Sequence, residues 1–168
     1  MPITVTANPV QLAWRNFTVV GATTGNHDAY TRPYFDLPHV GFRSVNGQYM
    51  LATNAKINVS PRAQVKRGAN QTAALLAHEQ IHYDLGVLAA RAMARELEKM
   101  EAATPSALST AIKQSWTLHT DTRLGPLQER YDLQTQHGIV GAQQQRWETL
   151  IKQGLANPNC DQVDGLPL

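Results

Sequence analysis

An α+β fold is predicted by three features of the chain. Up to about residue 70, short β-prone runs alternate with turn signals. From Gln71 onward, apolar residues recur at helical spacing. Between two of the β-prone runs stands Asn46-Gly47, the dipeptide that suits a two-residue hairpin. Strands grouped first and helices grouped after predict an N-terminal antiparallel sheet packed on helices. Ile3 to Thr6 alternates with period two and opens the sheet. Gln11 to Val20 reads as a turn leading into a strand, and Gly25 to Pro38 as a loop, because Gly, Asn, Asp and two prolines crowd it. Val40 to Val45 and Gln48 to Val59 form the hairpin, and Ser60-Pro61 is expected to end its second strand. The run Gln71 to Met100 holds no Pro and a single Gly, Gly86, and is capped by Asn70 or Thr72. Thr104-Pro105-Ser106 ends it, and a second helix is expected from Ser106 to Arg123. Gly125-Pro126 breaks or kinks this helix before Leu127 to Gln136 continues. Ala142 to Gln153 makes the last helix, with Trp147, Leu150 and Ile151 inward. Trp14, Trp116 and Trp147 are assigned to the core. Residues 1–154 are read as one domain and 155–168, rich in Asn, Pro and Asp, as a loosely ordered tail.

Composition bounds the functions open to such a chain. Its 168 residues suffice for a core without staples, and 42% hydrophobic against 17% charged residues is a globular balance. A net charge of +2 argues against a nucleic-acid partner, and no apolar run approaches the roughly 20 residues of a membrane span. Cys160 is the single cysteine, so no internal disulfide exists and the compartment stays open. Met1-Pro2-Ile3-Thr4 lacks the basic start and apolar core of a signal peptide.

The chemistry concentrates at His78-Glu79-Gln80-Ile81-His82, an H-E-x-x-H pattern within the long helical run. Residues four apart on an α-helix lie nearly above one another, so His78 and His82 project from one face and can share one metal ion. Glu79 sits one step round, where a general base would stand beside an open coordination position. Leu75, Ile81, Leu85, Leu88 and Ala89 share the stripe, which turns the histidines toward the protein body. The pattern points to a zinc peptidase, with Zn²⁺ as cofactor and a protein or peptide as substrate.

A third protein ligand is expected. The metzincin extension would place Gly and His at positions held by Leu85 and Leu88, which excludes that class. Glu96, Glu98 and Glu101 lie on the motif's own helix, about 20 Å or more away at 1.5 Å per residue. Glu129 and Glu148 have no supporting motif. The run Tyr131-Asp132-Leu133-Gln134-Thr135-Gln136-His137-Gly138 gathers a phenol, a carboxylate, a hydroxyl and an imidazole. His137 is the first choice as ligand, because Gly138 lets the backbone leave the helix. Asp132 is the second, either as ligand or as a partner orienting an imidazole. Tyr131 is a candidate catalytic residue, donating to the oxyanion of the reaction. Asn54 to Ser60, just upstream of the helix, is the candidate edge for an added substrate strand.

Leu75-Leu76-Ala77-His78-Glu79-Gln80-Ile81-His82-Tyr83-Asp84 resembles the L-L-x-H-E-Q-x-H-F-D motif of a bacterial family of zinc-dependent secreted proteases, long catalogued as a domain of unknown function. Tyr131-Asp132-x-x-Thr135-x-His137-Gly138 resembles that family's second motif, Y-D-x-x-T-x-H-G, while Gln145 and Trp147 match its Q-x-x-W tail with shifted spacing. Tyr83 departs from the usual Phe. The resemblance implies a zincin-like domain, zinc-dependent peptide hydrolysis with Glu79 as base, His137 as ligand, and a secreted or periplasmic location. Two other readings fit the same site: a cell-wall peptide amidase or endopeptidase, and a non-catalytic zinc-binding interaction domain.

Other polar residues are assigned structural roles. Asp84 points about 240° round the helix from His78 and is read as pairing with Arg91 or capping a loop. His119 and Asp121 stand near a helix end, and His27 and His39 in early loops without metal spacing.

Overall fold

The computed structural model describes residues 3–37 and 41–168, and His39 and Val40 lie outside them. Among the described residues, six strands precede the first α-helix: β1 (Thr4–Ala7), β2 (Phe17–Val20), β3 (Ala29–Phe35), β4 (Phe42–Val45), β5 (Gln48–Leu51) and β6 (Lys56–Lys66). Then come α1 (Ala73–Leu97), α2 (Pro105–Thr117), a π-helical turn (Leu118–Arg123), α3 (Leu124–Thr135) and α4 (Gly141–Ala156). Two short strands, β7 (Gln162–Val163) and β8 (Leu166–Pro167), close the order. The α+β plan read from the sequence is the observed one.

The main sheet is mixed, where an antiparallel one was expected. β6 is its central strand. β1 and β2 lie end to end along one side of it, both parallel, and β3 lies antiparallel along the other. The long stretch between β2 and β6 gives a parallel pair room to form. β3 is the region read as a loop, and β6 continues through the point where Pro61 was expected to end it. The register explains both. Pro33 pairs directly with Pro61, and neither offers an N–H. Pro61 also falls in the gap between β1, whose pairing stops at Val59, and β2, whose pairing starts at Ala63. Pro33's missing donor would face β3's outer edge, where no strand pairs among the described residues. The prolines therefore sit where a ladder bond is not required. The expected hairpin turn forms between β4 and β5, with Asn46 at φ 52° and Gly47 at φ 79°, but its second strand ends at Leu51 and Lys56–Val59 belongs to β6 of the main sheet.

α1 packs across β3, β6 and β1. Ile57, Val59, Phe35, Leu85, Leu88 and Met93 are among the fully buried residues of the shared core. Tyr83 donates its hydroxyl to the carbonyl of Val59 (2.8 Å) and Trp116 its indole N–H to that of Phe35 (2.8 Å). Thr72 caps α1 by accepting the N–H of Leu75 (3.1 Å). Asp84 accepts from Gln80 (2.8 Å).

The segment 155–168, expected to be loose, is folded back onto the helices. Val163 and Leu168 are buried. Asp164 pairs with Arg146 of α4 and with Arg130 of α3 (3.5 Å). Arg95 donates to the carbonyls of Pro158 and Cys160, and Arg123 to that of Leu168 (2.7 Å). Composition predicted disorder because these partners come from distant parts of the chain. Among the described residues, no helix is long and apolar enough to cross a membrane.

Candidate metal centre

α1 and α3 run antiparallel, and the site lies between them. Nε2 of His78 and Nε2 of His82 stand 3.2 Å apart. Asp132, from α3, brings its Oδ1 to 3.1 Å from the first and 2.9 Å from the second. These three form a group whose ligand atoms lie within 4.8 Å of one another and can hold a metal ion.

Both imidazoles are oriented from behind by glutamines. Nδ1 of His82 contacts Oε1 of Gln128, whose amide nitrogen donates to the carbonyl of His82 (2.9 Å). Nδ1 of His78 is 3.3 Å from Oε1 of Gln144, whose amide nitrogen donates to Glu148 (3.1 Å). Each amide is thus turned by a second partner so that its oxygen faces the ring. An oxygen acceptor at Nδ1 puts the proton there and leaves Nε2 with a lone pair. Two such lone pairs and a carboxylate oxygen then converge on one point, an arrangement suited to a cation.

Electrostatics agree with that arrangement. Burial alone would raise the carboxyl pKa of Asp132, but His78 and His82, when protonated at Nε2 in place of a bound metal, donate to it and hold it well below the ordinary range. Burial would lower the pKa of His82, and Asp132's hydrogen bond and charge outweigh it and raise it. Proton and metal therefore compete for one pocket of negative potential.

A cleft of about 770 Å³ opens on the group. One wall is β3 with the residues leading into it; the other is the π-helical turn and α3. Glu79 lines the cleft at 2% exposure, and its Oε2 is buried without a hydrogen-bond partner. Thr31, on the facing wall, has a buried Oγ1 in the same condition. Buried unpaired oxygens are uncommon in folded proteins. Two of them in one cleft mark a place built for something polar.

The sequence-derived candidates separate here. His78, Glu79 and His82 come together as expected. Between the two candidates for third ligand the order is reversed: Asp132 joins the group, whereas His137 stands outside it. Nδ1 of His137 lies 3.3 Å from Asp132, its side chain is 46% exposed, and its ring packs against that of His27, tilted by 30° with centroids 4.0 Å apart. α3 ends at Thr135 and the backbone turns left-handed at Gln136 and His137, so His137 lies in the turn beyond the helix that carries Asp132. Tyr131 does not reach the cleft as an oxyanion donor. It is fully buried behind His78, stacked on that ring at 4.6 Å, with its hydroxyl 2.7 Å from Gln144 and 3.2 Å from the carbonyl of His78. Burial raises its phenol pKa, so it stays neutral. Asn54 to Ser60 does not offer a free edge, because Lys56 to Val59 pair with β1 and Val59 and Ser60 with β3. The strand edge that faces the cleft belongs to β3.

Gln128 and Gln144 escaped sequence reasoning. Gln144 was legible in principle, since Gln144-x-x-Trp147 keeps the unshifted Q-x-x-W spacing and shares a helical face with Trp147. Gln145, read in its place, is exposed. His119 is buried, bonded through Nε2 to Glu96 (3.0 Å), and structural as expected. Asp121 reaches the cleft and pairs with Arg32 at 3.5 Å.

Fold and site together define an α+β domain with a histidine–histidine–aspartate group able to hold a metal ion. The chain belongs to the family described as bacterial protein of unknown function (DUF922), whose model matches residues 6–138. That span includes the whole group and ends at Gly138, before Gln144. No curated protein and no solved structure matches the chain.

Proposed function

We propose that this domain is a zinc-dependent peptidase with a zincin-like arrangement, in which His78, His82 and Asp132 hold the metal and Glu79 is the general base. The observation that carries the reading is the convergence of three lone pairs beside a buried, unpartnered carboxylate oxygen in one cleft. Tetrahedral ligands at about 2.1 Å from zinc stand about 3.4 Å from one another. The observed separations of 2.9, 3.1 and 3.2 Å suit that ion with small adjustment. A bound zinc would supply Lewis acidity, acidifying a ligated water and polarising a substrate carbonyl. Gln128 and Gln144 keep the imidazoles in the ligating tautomer. Glu79 accepts a proton at Oε2 and returns it to the leaving amine. A substrate in extended form lies along the outer edge of β3, which has no strand partner among the described residues. Thr31 and the β3 backbone position it.

Glu79→Gln tests the reading. The variant is expected to fold and take up about one zinc per chain, while hydrolysis of an unfolded protein substrate falls by at least about 10²-fold. Retained hydrolysis removes Glu79 from the chemistry. A zinc-loaded wild-type chain inert toward both unfolded protein and cell-wall peptides removes the peptidase reading.

A further inference from the structure

The cleft has two unlike ends. α3 runs antiparallel to α1, because Gln128 meets His82 while Tyr131 and Asp132 meet His78. Residues that follow α3 therefore return toward the start of α1, and Gly138 rests against His78, where a Cβ would lie 3.3 Å from that side chain. Ile139 comes next and lines the cleft together with Leu75, one turn ahead of His78. The packed rings of His27 and His137 belong to this same end. The opposite end carries the exposed ion pair of Arg32 and Asp121.

We infer that the His78 end is a subsite for a large apolar side chain of the substrate, with Ile139 and Leu75 as its walls. The inference rests on the peptidase reading and adds a specificity to it. Ile139 is 81% exposed, the most exposed large apolar side chain among the described residues, although it stands beside a buried polar centre. Its placement is built into the backbone. Gln136 and His137 both hold left-handed conformations, at φ 48° and 55°, ahead of Gly138 at 88°. Two successive non-glycine residues in that region are costly, and such strain persists where a position is used. The turn is also closed by hydrogen bonds from Val140 to Thr135 (2.8 Å) and from Ile139 to Gln136 (3.3 Å). Ile139 thus stands on a defined base with its side chain in water until a ligand covers it. Leu133 is equally exposed, at 79%, but does not line the cleft, and so provides a control.

The test compares two extended peptides that differ only by Leu or Ala at a central position, with that position walked along the peptide. Binding to zinc-loaded Glu79→Gln chain is measured by calorimetry, and cleavage by wild type is measured in parallel. At one position the Leu peptide is expected to bind about tenfold more tightly, the scale of apolar discrimination by a pocket. Adding Ile139→Ser should bring that ratio near one, and adding Leu133→Ser should leave it unchanged. An equal affinity for Leu and Ala peptides at every position overturns the subsite, as does a ratio indifferent to Ile139→Ser or no peptide binding at all. Leu-selective binding that depends on Ile139, without cleavage by wild type, keeps the subsite and removes the hydrolytic reading.

Discussion

Gly86 allows β3 to approach α1, and replacing it by Ala should be destabilising although Ala is the better helix former. A Cβ at this position would lie 2.1 Å from Cβ and 2.4 Å from Cγ of Pro33. Carbon atoms rest at about 3.5–4.0 Å, so helix and strand must separate by about 1.5 Å. Pro33 has no rotamer by which to withdraw, and β3 is held by seven paired positions along β6. Helix propensity returns about 1 kcal/mol. Overpacking costs about 1–3 kcal/mol, and an overlap of this size belongs at or beyond the upper end. The net expectation for Gly86→Ala is a loss of about 2 kcal/mol or more, read as a lower urea midpoint with an unchanged slope. Gly86 stands one helical turn beyond His82, and Pro33 lines the same cleft as the metal group, so metal uptake is expected to weaken along with stability in the variant. A Gly86→Ala chain as stable as wild type would refute the reasoning, because it would mean that β3 does not press on α1.

Two further outcomes are expected. Excess zinc should raise the melting temperature of wild type and of His137→Ala by about 5–10 °C, as saturation near a hundred times Kd contributes about 2.7 kcal/mol, and Asp132→Ala should lose that rise; the reverse pattern would restore His137 as the ligand. Burial lowers the pKa of His119 below its ordinary 6.5, against the opposing pull of Glu96. The stability this contributes is present above that value and declines as pH falls through the folded pKa. His119→Gln, which keeps a donor toward Glu96, should therefore lose less stability than wild type between about pH 7 and pH 5 in thermal melts; parallel curves would contradict it.

The parts of the molecule legible in the sequence are those specified by local spacing. The i, i+4 histidines and their flanking Glu79 needed only helical geometry, and Asn46-Gly47 needed only the hairpin's positive φ angles. β3 was hidden because Pro33 is normally a strand breaker; it is tolerated because its missing donor faces the outer edge, a register set by pairing with Pro61, 28 residues distant along the chain. Asp132 outranks His137 because of where α3 ends, and residue types alone do not reveal that boundary. Tyr131 has the right chemistry for an oxyanion donor but faces the wrong side of α3. The terminal segment looked loose because Asn, Pro and Asp crowd it, yet Asp164 finds two arginines on two helices.

The paired glutamines carry a consequence for how the protein would acquire its ion. They select the tautomer in advance, so the site demands few rearrangements from an arriving metal and offers it little besides two nitrogens and an oxygen. Nothing in that donor set discriminates strongly among divalent ions, and its affinities follow the general order in which copper exceeds zinc and zinc exceeds manganese. If the group binds a metal as proposed, the ion it takes would be set by supply, and a chain refolded in a copper-bearing medium is expected to take up copper.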